Sequence, residues 1–102
     1  MKIEEIRQKI VPILRAHGVE YAGIFGSAAR GEAKAGSDVD ILIRYSTSPG
    51  LFAYIGLAQS LEDTLKTKVD LITESSLKKP LAPNVKKDLY PLYGQPQRQD
   101  LY

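Results

Sequence analysis

The sequence has no cysteine among its 102 residues, which excludes a disulfide framework, a thiolate zinc site and a cysteine nucleophile. That absence fits a reducing compartment, and a soluble, cytoplasmic protein is the expectation. Long apolar runs are missing as well. No stretch approaches the roughly 20 apolar residues of a membrane span, and the opening MKIEEIRQKI carries acidic residues where a signal peptide would be apolar. No membrane association is expected. Charge of one sign is also scarce: the formal net charge is +2, with lysine and arginine scattered along the chain. Specific nucleic-acid binding is therefore not expected. Internal repeats and low-complexity tracts are absent.

The residues that are present describe an ordinary globular chain, 43% hydrophobic and 25% charged. Its length provides one core and leaves nothing for a second. One domain is expected over residues 1–94, followed by a loose tail, QPQRQDLY, at 95–102. Ile3, Ile6, Ile10, Ile13 and Leu14 recur at three- and four-residue steps, predicting an amphipathic helix over 2–17 that Gly18 ends and Pro12 kinks or splits. EYAGIF at 20–25 reads as a short buried strand running into a Gly26-Ser27 turn and the helix-forming AARGEA. KAGS at 34–37 is a loop, DVDILIRY after it a central strand, and STSPG a turn. Leu51, Tyr54, Leu57, Ala58, Leu61 and Leu65 share one face of a second helix over 51–66, with Gln59, Glu62, Asp63 and Lys66 mostly away from it. KVDLIT is a third strand. Beyond Glu74, Pro80, Pro83 and Pro91 predict one or two short, interrupted helical turns. The expected fold is α/β in the α+β sense: a small mixed sheet of about three or four strands, helices mainly on one face, and a site at the open edge.

The chemistry concentrates in GIFGSAARGEAKAGSDVDILIR, residues 23–44. Gly26 lets the backbone approach a ligand, and the amides opening the next helix offer donors to phosphate oxygens. Ser27 adds a hydroxyl to the same phosphate. Arg30, one turn further on, is placed to meet that phosphate or the carboxylates. Asp38 and Asp40 project from one face of their strand, and two such neighbours are unfavourable until a divalent cation compensates them. Oxygen ligands alone favour Mg²⁺ or Mn²⁺ over zinc. Asp70, between Val69 and the apolar pair Leu71 and Ile72, is costly there unless paired, solvated or bound to metal. A strand at 68–73 beside the DVD strand would gather three carboxylates. Such a trio suits two cations roughly 4 Å apart, with Asp70 nearest the nucleophile and able to accept its proton.

Other residues read more plainly. A Gly-Ser step alone is an ordinary turn. His17 suits the end of the first helix better than catalysis. The tyrosines, Tyr21, Tyr54, Tyr90 and Tyr93 among them, suit the core or its rim. Lys78, Lys79, Lys86 and Lys87 form a solvated face or meet an acidic partner.

A Gly-Ser turn, about ten intervening residues, Asp-x-Asp between apolar positions, and a third acidic residue on a later strand: by this pattern the chain resembles the nucleotidyltransferase superfamily typified by DNA polymerase β. The run GSAARGEAKAGSDVDILI looks like its minimal branch, the MNT antitoxin-like proteins. The resemblance covers residues 1–75 and implies a polymerase β palm-like fold. It implies Asp38, Asp40 and Asp70 as catalytic metal ligands, with Gly26 and Ser27 holding a nucleoside triphosphate, ATP in particular. It further implies that the acceptor is a tyrosine of a HEPN-type ribonuclease toxin, to which AMP units are added, in a hetero-oligomer or with homo-oligomers. A noncatalytic antitoxin and a small-molecule transferase are the alternatives. The prolines after residue 75 depart from the longer helix common in the family, and without a thumb or finger domain template-directed synthesis is not expected.

Overall fold

The computed structural model describes residues 2–30, 38–47, 49–74 and 89–94. Helix α1 (Ile3–Ala16) buries Ile6, Ile10 and Leu14 at four-residue spacing, with Glu4 and Glu5 in its first turn and Arg15 in its last, each sign suited to the helix dipole. Of the two outcomes expected at Pro12, a kink or a split, the split does not occur: one helix runs through it. Pro12 and Gln8, whose carbonyl the proline leaves without an amide, are both exposed, so water can serve that carbonyl. His17 is the C-cap, and Gly18, at φ +76°, turns the chain into the sheet.

The strands are β1 (Val19–Phe25), β2 (Val39–Tyr45), β3 (Val69–Thr73) and β4 (Tyr90–Tyr93). They lie in the order β3-β2-β1-β4, with β1 antiparallel to β2 and to β4, and β2 parallel to β3. A register shift between Val19 and Tyr21 puts Glu20 in a bulge, so that Val19, Ala22 and Ile24 enter the helix-side core while Tyr21 lies on the other face. Between β1 and β2 the helix-forming stretch supplies a single turn, α2 (Gly26–Ala29), which begins at the glycine itself.

Helix α3 (Leu51–Leu65) connects the parallel strands β2 and β3 and buries Leu57, Leu61 and Leu65. With α1 it covers one face of the sheet, enclosing Val39, Ile41, Ile43, Val69 and Leu71. This is the one-sided layering the apolar pattern predicts. The free edge of β3 is also met by α3. Glu62, which the pattern places away from the apolar face, is half-buried and accepts the Val69 N–H at 3.0 Å, while the Tyr54 hydroxyl donates to the Leu71 carbonyl.

At 90–93, in the described part of the stretch where short helical turns interrupted by proline are expected, the chain forms a strand. Proline has no amide to give, but a strand at the edge of a sheet needs donors on one side only, and β4 is such a strand. Leu92 is buried, and Arg7 of α1 donates to the carbonyls of Leu92 and Pro91, both at 3.0 Å. The rest of the expected AARGEA helix and the KAGS loop (31–37), the segment with Pro80, Pro83 and the four lysines (75–88), and the tail (95–102) lie outside the described residues. Among the described residues no helix is long and apolar enough to cross a membrane.

Candidate active site

Two strand pairings assemble the site. In the parallel pair β2–β3, Asp40 stands opposite Asp70; in the antiparallel pair β1–β2, Asp40 stands opposite Phe25. The chain leaving β1 therefore enters α2 beside Asp40. Alternation along β2 sends Val39, Ile41 and Ile43 into the core, leaving Asp38 and Asp40 to the face without α1 and α3. Asp38 and Asp70 are exposed, and Asp40 is half-buried.

These carboxylates act on one another. The Asp40 carboxyl is held above its ordinary value, first by burial, then by the charges of Asp70 and Asp38, and by a hydrogen bond with Asp70. Among the described residues, Asp38, Asp40 and Asp70 included, no three His, Cys, Asp or Glu side chains stand close enough together to hold one metal ion, so the expected three-carboxylate centre is not assembled as the side chains lie. What the structure does give is the hydrogen-bonded pair Asp40 and Asp70, with the charge of Asp38 felt at Asp40, all of them oxygen donors on a face open to solvent. That donor chemistry fits Mg²⁺ or Mn²⁺, which bind through one or two carboxylates and keep several waters and substrate oxygens as ligands.

Gly26 is bound to this set sterically. Its φ is +72°, and a Cβ placed on it would run into Oδ2 of Asp40. Both facts demand glycine, but they can be separated, because Gly18 has nearly the same φ, +76°, and a Cβ there would meet nothing within 4 Å. Gly18→Ala should cost about 1–2 kcal/mol from the left-handed backbone alone. Gly26→Ala should cost about 1–3 kcal/mol more, since the methyl must displace the Asp40 carboxylate as well. Chemical denaturation of the two variants measures the difference; equal losses would mean that Gly26 and Asp40 are not in contact.

Ser27, half-buried, follows within α2, whose N-cap Phe25 supplies no side-chain cap to the first amides. Those amides remain suited to an anion. Arg30 is exposed and forms the C-cap of the same turn, its amide donating to the Gly26 carbonyl at 3.2 Å. The structure thus brings Gly26, Asp40 and Asp70 together, sets Asp38 and Ser27 next to them, and leaves Arg30 at the far end of α2.

One residue near the site carries no functional signal in the sequence. The Tyr54 phenol is raised above its ordinary value by burial and by the charge of Asp70, which places the two side chains near each other. Its position on the apolar stripe of α3 disguises it as a core residue. Elsewhere on the same sheet face, Arg44 holds Glu20 at 2.5 Å and Glu74 at 3.4 Å and lies 5.4 Å from the centre of the Tyr21 ring. Burial, followed by the charge of Glu74 and opposed by Arg44, pushes the Tyr21 phenol up to about 12, so it stays protonated at neutral pH.

The family model for polymerase beta, nucleotidyltransferase, matches residues 8–98 of the chain. Over 90 residues the sequence is 42% identical to protein adenylyltransferase MntA of Thermococcus cleftensis, covering 80% of this chain and 91% of that protein. Among solved structures, a toxin–antitoxin crystal structure with AMP-PNP aligns at a TM-score of 0.80 and 29% identity, covering 93% of this chain and 78% of that one. A chain from the tri-AMPylated Shewanella oneidensis HEPN toxin in complex with MNT antitoxin aligns at 0.75 and 26%, with coverages of 97% and 78%.

Proposed function

Since this chain belongs to the polymerase beta nucleotidyltransferase family, we propose that it transfers AMP from ATP to a tyrosine hydroxyl of a HEPN-type toxin, acting in the cytoplasm as the antitoxin of that pair. The observation that carries the reading is the pairing of Asp40 with Asp70 on one side and its contact with Gly26 on the other. It unites a phosphate-binding turn with a carboxylate cluster. The AMP-PNP bound in one similar complex and the AMP groups carried by the toxin in another support ATP as donor and a protein as acceptor.

In this reading the first amides of α2 and the Ser27 hydroxyl hold the triphosphate, with Arg30 placed to lend a charge to its outer oxygens. Divalent cations, Mg²⁺ or Mn²⁺, held by Asp38, Asp40 and Asp70 would supply neutralisation of the phosphates and acidification of the attacking hydroxyl. The acceptor oxygen forms a bond to the α-phosphorus while the bond from that phosphorus to the bridging oxygen breaks, and pyrophosphate leaves. The phenolic proton, ordinarily lost only near pH 10 or so, passes to the Asp70 carboxylate. Everything else is positioning and charge. Asp38 and Asp70 are exposed on their sheet face, so in this reading a partner can bring the acceptor up to them. The attached AMP would then block the toxin's RNA substrate by bulk and charge.

Intact mass spectrometry of the toxin after incubation with this protein, ATP and Mg²⁺ tests the reading. Mass gains in steps of one AMP, absent with Asp38→Asn, are expected. Neutralisation of the toxin without any gain would mean an antitoxin that works by binding alone.

A further inference from the structure

Among the described residues strand β3 lies at one end of the sheet and carries Asp70, so one row of its backbone groups faces no other described strand. Which groups these are follows from the register. The Val39 amide donates to the Lys68 carbonyl at 2.9 Å and Asp40 pairs with Asp70. Residues 68, 70 and 72 therefore turn their backbone groups towards β2, and Val69 and Leu71 turn theirs outward. Those two residues flank Asp70, and α3 holds both: Glu62 Oε2 accepts the Val69 N–H at 3.0 Å, and the Tyr54 hydroxyl donates to the Leu71 carbonyl. Tyr54, early in the helix, meets the later strand residue, and Glu62, two turns on, meets the earlier one. Neither polar group is needed to fill the core, which Leu57, Leu61 and Leu65 already supply from the same helix.

We propose that Tyr54 and Glu62 are positioning residues that fix Asp70 against Asp40 by holding the free edge of β3 on both sides of it. Pairing with β2 alone restrains the strand from one side and leaves it free to twist about its axis, which would swing Asp70 out of register with Asp40. A displacement of about 1 Å at a reacting group can cost roughly a hundredfold in rate. The two residues touch no reacting atom; they act through the backbone that carries the carboxylate. The kinetic consequence rests on the transferase reading, whereas the clamp on β3 does not.

The test uses the full chain with Tyr54→Phe, Glu62→Ala and Glu62→Gln, assayed with ATP, Mg²⁺ and the toxin, together with amide hydrogen exchange at Val69. Tyr54→Phe keeps the ring and loses only the donor, and Glu62→Gln keeps an acceptor that Glu62→Ala lacks. Tyr54→Phe and Glu62→Ala should lower kcat by about tenfold or more while leaving KM for ATP within about twofold. Glu62→Gln should stay near wild type. Val69 exchange should accelerate in Glu62→Ala and remain slow in Glu62→Gln. Ile10→Val, which loosens the core beneath α1, is the comparison: it should lower Tm without lowering kcat. Unchanged kcat in both Tyr54→Phe and Glu62→Ala, a loss in Glu62→Gln as large as in Glu62→Ala, or an equal loss in Ile10→Val would overturn the proposal. If the wild-type protein transfers nothing, the transferase reading alone fails, and Val69 exchange still decides: equal rates in Glu62→Ala and wild type would overturn the clamp.

Discussion

Asp38→Asn combined with Asp40→Asn is expected to lower nucleotidyl transfer by roughly a thousandfold or more, because two of the charges that would meet the triphosphate and its cations are lost together. Calorimetry should show cation-dependent ATP binding in the wild type and none in the double variant. The fold should survive and even gain. Burial and the charges of Asp70 and Asp38 hold the Asp40 carboxyl above its ordinary 3.8, so the native chain keeps this proton after the unfolded chain has released it. As pH rises from about 3.8 through that raised value, the cation-free protein loses stability. The asparagine variant has no such proton to lose, and without cations it should melt a few degrees above the wild type at pH 7 but not at pH 3. Thermal melts in chelator at both values check the sign. Equal ATP binding by the two proteins would remove Asp38 and Asp40 from the site.

Asp70→Asn should separate binding from chemistry. Asp38 and Asp40 remain to engage a cation-bound triphosphate, so ATP affinity should change by no more than about threefold. If, as proposed, Asp70 takes the proton of the attacking hydroxyl, single-turnover transfer should fall by about 10²- to 10⁴-fold. Transfer at close to the wild-type rate would make Asp70 a structural residue. A parallel loss of ATP binding would instead place it with the other two in holding the nucleotide.

The parts of this architecture that are legible in the sequence are those set by short-range periodicity. Ile6, Ile10 and Leu14 announce α1, Leu57, Leu61 and Leu65 announce α3, and the alternation around Asp38 and Asp40 announces a strand with two carboxylates on one face. What pattern alone leaves open is the relation between distant segments. KVDLIT could pair with DVDILIRY in more than one register, and only the tertiary pairing sets Asp40 opposite Asp70 instead of one residue away, which would turn Asp70 towards the helices. Tyr90–Tyr93 does not read as a strand because Pro91 argues against a central one, and the sequence does not say which strands lie at the edge. Pro12 misleads for a related reason: its cost depends on whether the Gln8 carbonyl faces core or water. Glu62 fits a solvent-facing pattern equally well, since nothing local reveals that the amide of Val69 will lie in front of it.

Joining two parallel strands requires a crossover, and here it is α3 that carries the chain from Asp40 over one face of the sheet to Asp70. The Asp40–Asp70 pairing consequently has no local precursor. A chain that has folded only as far as β2 has Asp38 and Asp40 but no third group, and the remaining acid arrives only after the costlier long-range closure of the β2–α3–β3 unit. During synthesis, Asp70 leaves the ribosome after every other residue assigned to the site. If Asp70 is required for the proposed transfer, competence is thus a late event in the life of each molecule, reached only after the segments up to β2 have left the ribosome.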